Sequence, residues 1–347
     1  MYKKFFMGIA AMAAMTLVSC SSDDLNSLSD NSSKNEAISF DGYLGRSAVA
    51  VNGSRGSVLD LPALQKPGEG FGVFGNYKKD DGTEFGTNWF DNVKVTYSSK
   101  DTKWTYDPVM YWLPQGHIDF LAYAPYDSEY KSKVTKDNQK LDFTVNSTIT
   151  AQKDLLWANA TNKTMTDKTV TFTFKHALSR LGYTVKLNKV YTSTTITLNK
   201  ITLAGSNDGI QKAFYPKGTI DLSTGDWTPS TTDDKLKFEW FTTTSGKELS
   251  TTAADNAPDN YLFVIPQNFS ASAADKLYVI VEYTIKGYNG VPTPMKNTVC
   301  QKLEQEFKQG KAYTINLTIG LTPIEFDAEV TGWDPTNGTP IDIDSWN

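Results

Sequence analysis

The sequence predicts an all-β protein built from two tandem β-sandwich domains. It is rich in Thr, Tyr, Phe, Trp and Val, which favour a pleated, half-buried backbone over a helix. Short apolar runs are separated by turn residues at the spacing typical of sandwich folds. The 347 residues are enough for two ordinary domains, so we expect one sandwich in each half of the chain.

Several segments show the alternation of apolar and polar residues that a strand with one buried face requires. In the first of them, Val170, Phe172 and Phe174 alternate with threonines. Because successive side chains of a strand point to opposite faces, each segment predicts one apolar face and one polar face. The segments are residues 170–174, 181–187, 277–285, 313–319 and 324–330.

A few segments lack this alternation. Residues 261–265 form a continuous apolar run, which is typical of a strand buried on both faces. Residues 303–309 contain good helix formers and are followed by Gly310, so a short helical turn is predicted there. That segment is too short to be stable as a free-standing helix, and the fold class stays all-β.

The N-terminus has the features of a bacterial lipoprotein leader. Lys3 and Lys4 precede an apolar stretch at residues 5–18, which is too short to span a membrane. Ser19 then stands before Cys20, and this arrangement resembles a lipobox. The resemblance implies that Cys20 becomes the acylated first residue, with several acyl chains holding the protein at the outer membrane. The alternative is an ordinary signal peptide followed by an incidental cysteine.

The residues after Cys20 are rich in Ser, Asn and Asp and carry no apolar face, which predicts a flexible tether. The acidic pair Asp23-Asp24 resembles a surface-export signal. A polar segment at residues 188–194 suggests the domain boundary, with residues 205–209 as the alternative. The predicted parts are a signal peptide (1–19), a tether (20–36), an N-terminal sandwich (37–190) and a C-terminal sandwich with an acidic tail (191–347).

Composition argues against several classes of function. The net charge of -5 gives no basic surface for nucleic acid. Two histidines and one cysteine besides Cys20 leave little material for a metal or nucleophile site, so we expect no cofactor and no enzyme activity. His176 has no recognisable nucleophile or acidic partner nearby in sequence, and a structural role is expected for it. Cys300 is interpreted as a small buried hydrophobe.

Binding of a glycan or host ligand is a second candidate function, because tryptophan side chains stack on sugar rings. These residues more often lie in the core or on a sheet face. The candidates are Trp89, Trp104, Trp227 and Trp240.

Seven short motifs distributed along the chain together resemble the fimbrillin family of Bacteroidetes lipoproteins. These lipoproteins are related to type V pilins. The similarity extends over about residues 38–334. Each motif alone is weak, and their order gives the resemblance its specificity. The motifs are FGVFG (71–75), YWLP (111–114), IDFLAYAP (118–125), DLLWA (154–158), FKHALSRL (174–181), GKAYTINL (310–317) and VTGW (330–333).

The resemblance implies two transthyretin-like sandwiches and an assembly by strand exchange. In that scheme a protease cuts after a basic residue, the first strand leaves, and the terminal strand of a neighbouring subunit fills the groove. Adding a strand in this way satisfies exposed backbone groups and places alternate side chains in pockets.

This chain has the parts that such a scheme requires. Residues 37–44 form a short predicted first strand, with Ile38, Phe40 and Tyr43 as its apolar residues. Arg46 and Arg55 follow in Gly- and Ser-flanked sequence that a protease can reach. The candidate donor strand carries Ile324, Phe326, Ala328 and Val330. The alternative is that both strands pair within their own domains and that the arginines are ordinary loop cations.

The predicted function is therefore that of a structural subunit of a fimbria that contributes to cell adhesion. Its expected partners are other pilus subunits, joined by β-strand addition, and the outer membrane, reached through the lipid on Cys20. The expected location is the cell surface, within the fimbria. The alternative is an uncut lipoprotein that anchors a pilus or binds a glycan or host ligand.

Overall fold

The structure is a computed structural model that describes residues 36–44, 59–83, 88–256, 260–321 and 325–332. All of these residues belong to the compact unit Glu36–Asn347. Cys20, Arg46, Arg55 and Ile324 lie outside the described residues, so the predictions made for them stay predictions.

The described residues form strands joined by turns and short helical segments, which confirms the predicted all-β class. The strands of the first part are β1 (Ser39–Leu44), β2 (Phe71–Lys78), β3 (Phe90–Ser98), β4 (Lys103–Thr105), β5 (His117–Ala124), β6 (Lys140–Thr144), β7 (Leu156–Lys163), β8 (Thr169–His176), β9 (Ser179–Leu187) and β10 (Thr195–Ala204). Those that follow are β11 (Lys217–Asp221), β12 (Trp227–Pro229), β13 (Phe238–Glu248), β14 (Ala254–Asp255), β15 (Leu262–Val264), β16 (Gln267–Asn268), β17 (Tyr278–Lys286), β18 (Met295–Lys302), β19 (Glu306–Phe307), β20 (Lys311–Ile319) and β21 (Glu325–Gly332).

The helical segments are short. One α-helical turn, α1, spans Leu61–Leu64; the side chain of Asp60 caps it by accepting a hydrogen bond from the Ala63 amide at 2.7 Å. The 3-10 turns are Ser128–Tyr130, Ile149–Ala151, Met165–Asp167 and Tyr288–Gly290.

The strands assemble into several sheets. A seven-stranded sheet has the order β1-β8-β7-β5-β2-β3-β4, so β1 and β4 are its edge strands. The later part of the chain forms a four-stranded sheet, β13-β10-β17-β18, and a five-stranded sheet, β14-β9-β20-β21, in which β15 also pairs with β9. Two smaller sheets, β12-β11-β6 and β16-β19, complete the layered, sandwich-like arrangement.

Two hydrophobic cores lie between these layers. The first contains residues between Ile38 and Phe174, and the second extends from Phe74 to Ile319. Adjacent residues of β5 are divided between them, because Phe120 belongs to the first core and Leu121 to the second. A strand with a core on each face is buried along most of its length, as β2 and β5 are.

The local predictions agree with the structure in most places. β8 alternates strictly between exposed and buried residues, with Val170, Phe172 and Phe174 inside. The continuous apolar run at residues 261–265 contains β15, whose residues are all buried. The predicted helical turn at residues 303–309 was wrong, since β19 lies there and Phe307 packs against Phe269 and Tyr313.

The proposed domain boundary at residues 190–191 stays a prediction. β9 precedes that boundary, and it pairs in parallel with β20 from Ala312↔Arg180 to Ile319↔Leu187. The second core likewise contains residues from both sides of the boundary.

Candidate functional site

The first strand lies in a groove of the first core. Ile38, Phe40 and Leu44 are buried, with exposed fractions of 1%, 4% and 5%. Gly42 completes this inward face, while Tyr43 lies on the outward face and is 44% exposed. Tyr43, grouped with Ile38 and Phe40 as an apolar residue of this strand, lies on the opposite face from Phe40, because residues of one face are two apart and Tyr43 is three residues from Phe40.

Phe40 sits at the centre of an aromatic cluster. Its ring centroid lies 5.4 Å from those of Phe90 and Phe120 in edge-to-face geometry, and 5.2 Å from that of Tyr106. Phe172 of β8 stacks on it at 5.7 Å. Edge and stacked contacts of this kind add to the free energy gained by burying the ring, so the site selects an aromatic side chain.

Gly42 lies at a narrow part of the groove. A Cβ atom built at this position would lie 3.3 Å from Cε1 of Phe71, 3.5 Å from Cε2 of Phe174 and 3.6 Å from Cε2 of Trp104. Trp104 belongs to β4, at the opposite edge of the seven-stranded sheet, so the two edges of the sheet approach each other here. Only a very small side chain fits between these rings.

The main chain of β1 pairs in parallel with that of β8, from Ser39↔Thr169 to Leu44↔Phe174. On its other side β8 pairs with β7 at Leu156↔His176 and Trp157↔Lys175, which is one end of the strand. Most of β8 therefore depends on β1 for its ladder. Removing β1 would leave these backbone groups as an open edge.

The start of the strand is held by the segment that follows β4. The Ile38 amide donates to the Met110 carbonyl at 2.8 Å, and the Trp112 amide donates to the Glu36 carbonyl at 2.9 Å. The Tyr106 hydroxyl donates to the Ile38 carbonyl at 2.7 Å. Burial raises the pKa of Tyr106, so its hydroxyl stays protonated and continues to donate at neutral pH. These contacts all use the backbone of the first strand, so another sequence can make them equally well.

The candidate donor strand lies at the edge of a different sheet. β21 runs antiparallel to β20, from Lys311↔Gly332 to Thr318↔Glu325. In this register Phe326, Ala328 and Val330 are partners of residues at alternate positions on β20, namely Leu317, Ile315 and Tyr313. An edge strand of this kind can leave without dividing its sheet.

Residues 65–333 match a family model described as fimbrillin-like. The chain belongs to the fimbrillin-like family. This confirms the family predicted from the motifs, and the match covers all seven motifs.

Solved structures share the fold of this fimbrillin-like chain. A fimbrial protein from Bacteroides vulgatus is 20% identical with a TM-score of 0.63, and the match covers 86% of this chain and 100% of that chain. A proposed cell adhesion protein from Bacteroides ovatus is 14% identical with a TM-score of 0.53, over 86% of this chain and 98% of that chain. No curated protein shows significant similarity to the sequence.

His176 of this fimbrillin-like chain has an acidic partner that the sequence did not reveal. Its Nδ1 lies 2.8 Å from Oδ2 of Asp154, and both side chains are buried. The same carboxylate oxygen accepts a hydrogen bond from the Leu59 amide at 3.2 Å. Leu59 is the first described residue after the segment that holds Arg46 and Arg55, so this buried pair contacts the chain at the start of the next described segment. The sequence placed both residues within family motifs, but it did not indicate that their side chains meet.

The four tryptophan candidates for glycan stacking are largely occupied by the fold. Trp104 and Trp240 are buried, and Trp89 and Trp227 are half-buried. The indole of Trp240 donates to the Asn260 carbonyl and that of Trp227 to the Ala177 carbonyl, both at 2.7 Å. Their rings are therefore committed to packing within the protein.

Two other kinds of site are absent from the described part of the chain. There, no helix combines the length and apolar character needed to cross a bilayer. Among the same residues, no group of three or more His, Cys, Asp or Glu side chains is placed to share a metal ion.

Proposed function

We propose that this chain is a structural subunit of a fimbria that is exported as a lipoprotein and assembles by protease-triggered donor-strand exchange, contributing to cell adhesion. Membership of the fimbrillin-like family supports this role. The observation that carries the proposal is the position of β1, a terminal edge strand that fills a groove in the first core and supplies most of the ladder of β8.

The energetics of the groove explain why a cut subunit requires a partner. Each of Ile38, Phe40 and Leu44 gains roughly 1.5–3 kcal/mol by being buried. If β1 leaves, the apolar lining and the backbone groups of β8 are exposed to water together. A strand from another subunit restores both, so cutting creates a binding site for a neighbour.

In this proposal the N-terminal leader places the protein at the outer membrane. Acylation of Cys20 would hold the exported chain in the outer membrane, with residues 20–36 as the tether. A cut after Arg46 or Arg55 would then break the covalent link of the subunit to its lipid and to β1 in one step, because both precede the cut in the chain.

The N-terminus of the surface form tests this proposal. We expect N-terminal sequencing and intact mass of the native fimbrial material to show a chain that starts at Ser47 or Gly56. An acylated Cys20 on the assembled form would contradict strand exchange at this groove. It would instead indicate an uncut pilus anchor or a lipid-tethered binding protein.

Variants of the arginines provide the matched test. Replacing both Arg46 and Arg55 by alanine should retain β1 and abolish polymers, while Lys66→Ala, which changes an exposed cation near α1, should leave assembly unchanged. Normal polymers from the double variant would show that these arginines are not where the chain is cut.

A further inference from the structure

Exposed apolar side chains gather at one end of the four-stranded sheet. In the described part of the chain nine large apolar side chains are exposed, and four of them lie at this end. One is Val190, which is 74% exposed in the loop at residues 188–194. The other three belong to the tip of the β17–β18 hairpin, at residues 287–295, and are Tyr288, Val291 and Met295. Single exposed apolar residues are ordinary, but a group of them marks an interaction surface.

The loop and the hairpin tip are neighbours. Thr195 of β10, just after the loop, pairs with Lys286 of β17, just before the tip. A Cβ atom built at Gly287 would lie 2.4 Å from the Ser193 carbonyl oxygen, so the tip approaches the loop as closely as only glycine allows. Residues 188–194 and 287–295 therefore form one surface, the hairpin surface.

The hairpin surface is basic, although the chain as a whole has a net charge of -5. Residues 186–195 and 284–298 contain no Asp or Glu. The strands on either side add one lysine and two glutamates, so the local charge stays positive. The exposed lysines are Lys186, Lys189, Lys286 and Lys296, and the flanking charged residues are Lys247, Glu248 and Glu325.

The backbone of the tip has few donors to lose contact with water. Pro292 and Pro294 have no N–H group. The amide of Val291 donates to the Tyr288 carbonyl at 3.0 Å, within the turn itself. Because a buried donor without a partner costs free energy, this sequence lowers the cost of moving the tip out of water.

We propose that the hairpin surface binds a lipid bilayer with anionic headgroups, with the tip entering the headgroup region and the lysines facing the lipid phosphates. Aromatic side chains such as Tyr288 favour this interfacial layer, and lysines near it are attracted to anionic lipid. The inference goes beyond the proposed function, because it places a lipid contact on the folded part of the chain instead of on Cys20.

The order of apolar and charged residues along the hairpin favours a bilayer over a protein partner. Ile285 pairs with Met295 and Thr284 pairs with Lys296, so Lys286 and Lys296 stand on both strands at the base of the apolar tip. Along the hairpin they are separated by two residue rises, roughly 7 Å, which is comparable to the depth of a headgroup layer. Both lysines can therefore reach phosphates while the tip lies at the acyl boundary.

Binding to vesicles tests the proposal. We would use the chain from Ser21 onward, which keeps the whole compact unit Glu36–Asn347 but lacks Cys20 and the apolar leader. Sedimentation with vesicles of equal parts phosphatidylcholine and phosphatidylglycerol should show binding at least about tenfold tighter than with phosphatidylcholine alone, because each lysine near the surface contributes about fivefold. High salt should weaken it. Equal binding to both vesicles, or binding to neither, would overturn the inference.

Replacement of the apolar tip tests which part of the surface enters the lipid. Tyr288→Ser combined with Val291→Ser should weaken binding to the anionic vesicles at least about tenfold, because less apolar surface leaves water. The matched control is Ile210→Ser, which should leave binding unchanged. Ile210 is 72% exposed, and it lies beyond the opposite end of β10, where its amide donates to Asp208. These side chains are all exposed, so the fold should not depend on them.

Replacement of the lysines tests the charge. Lys286→Gln combined with Lys296→Gln should weaken binding to the anionic vesicles at least about tenfold. Lys100→Gln combined with Lys103→Gln is the matched control, since these exposed lysines belong to the β3–β4 hairpin. That hairpin should not touch the lipid, and binding should stay unchanged. Equal losses from the two pairs would show attraction to the whole protein and would overturn the inference.

A fluorescent label reports directly whether the tip enters the bilayer. In a Cys300→Ser background, an environment-sensitive label on Val291→Cys should brighten when anionic vesicles are added, and the same label on Ile210→Cys should not. A chain that binds while the label at position 291 stays in water would be held by charge alone, and the proposed insertion would be wrong. Failure here leaves strand exchange untouched, because every experiment uses the uncut chain.

Discussion

Two aromatic residues of β1 show how strongly position along a strand decides the role of a side chain. Phe40 is 4% exposed and contacts rings from several strands, while Tyr43, three residues later, is 44% exposed. The difference follows from the two-residue period of the strand, since an odd separation places the side chains on opposite faces.

This difference predicts unequal effects of two alanine substitutions in the uncut chain. Phe40→Ala should lower the free energy of unfolding by about 3–5 kcal/mol, because it leaves a cavity in an aromatic core. Tyr43→Ala should change it by no more than about 0.5 kcal/mol, as expected for a surface position. Urea unfolding measures both values. Similar losses for the two variants would mean that β1 does not occupy the groove in solution.

At the residue scale, the sequence was informative wherever local periodicity decides the outcome. Ile38 and Phe40 were predicted as inward residues and are buried. Tyr43 was grouped with these two residues because its side chain is largely apolar, although its spacing along the strand places it on the outward face. The contact between His176 and Asp154 was missed, because the two residues are 22 positions apart and only the antiparallel turn of β7 into β8 brings them together.

At the scale of elements, the clearest contrast is between β8 and the central strands β2 and β5. β8 alternates and was predicted in detail, because one of its faces meets water. β2 and β5 are buried on both faces, so their sequences show no alternation and were noticed only as family motifs. The segment at 303–309 resembles a helix locally, and the contacts of Phe307 with Phe269 and Tyr313 override that preference.

The burial of the central strands predicts a gradient of hydrogen exchange. Backbone amides of β2 and β5 should exchange most slowly, because they open only when both cores do. Amides of the edge strand β4 of the same sheet should exchange several-fold faster. Mass spectrometry of peptic fragments from deuterated protein gives these rates. Comparable protection of edge and centre would show that the seven-stranded sheet opens as one unit.

At the scale of the whole molecule, the seven-stranded sheet forms a wall common to both cores. Phe74, Leu121 and Tyr123 project from it into the second core, while Phe71 and Phe120 project into the first. The sequence predicted two tandem sandwiches from chain length and turn spacing. It gave no sign of this common wall, since which residues face which core depends on strand order, and strand order is not local information.

A common wall predicts cooperative unfolding. We expect the uncut chain to unfold in a single calorimetric transition, with equal calorimetric and van't Hoff enthalpies, because loss of one core exposes a face of the sheet that supports the other. Leu121→Ala should move that transition without splitting it. Two separate transitions would show that the cores are independent, and would favour a division of the chain into autonomous domains.

The parallel ladder of β1 on β8 has a mechanical consequence. A pull along the axis of a strand held in this way loads its hydrogen bonds in shear, so the bonds from Ser39↔Thr169 to Leu44↔Phe174 share the force and must rupture together. A pull across the axis would instead peel them apart one after another. A joint with this geometry is strong along the strand and weak sideways, and its resistance to tension grows with the number of paired residues more than with the fit of any one side chain.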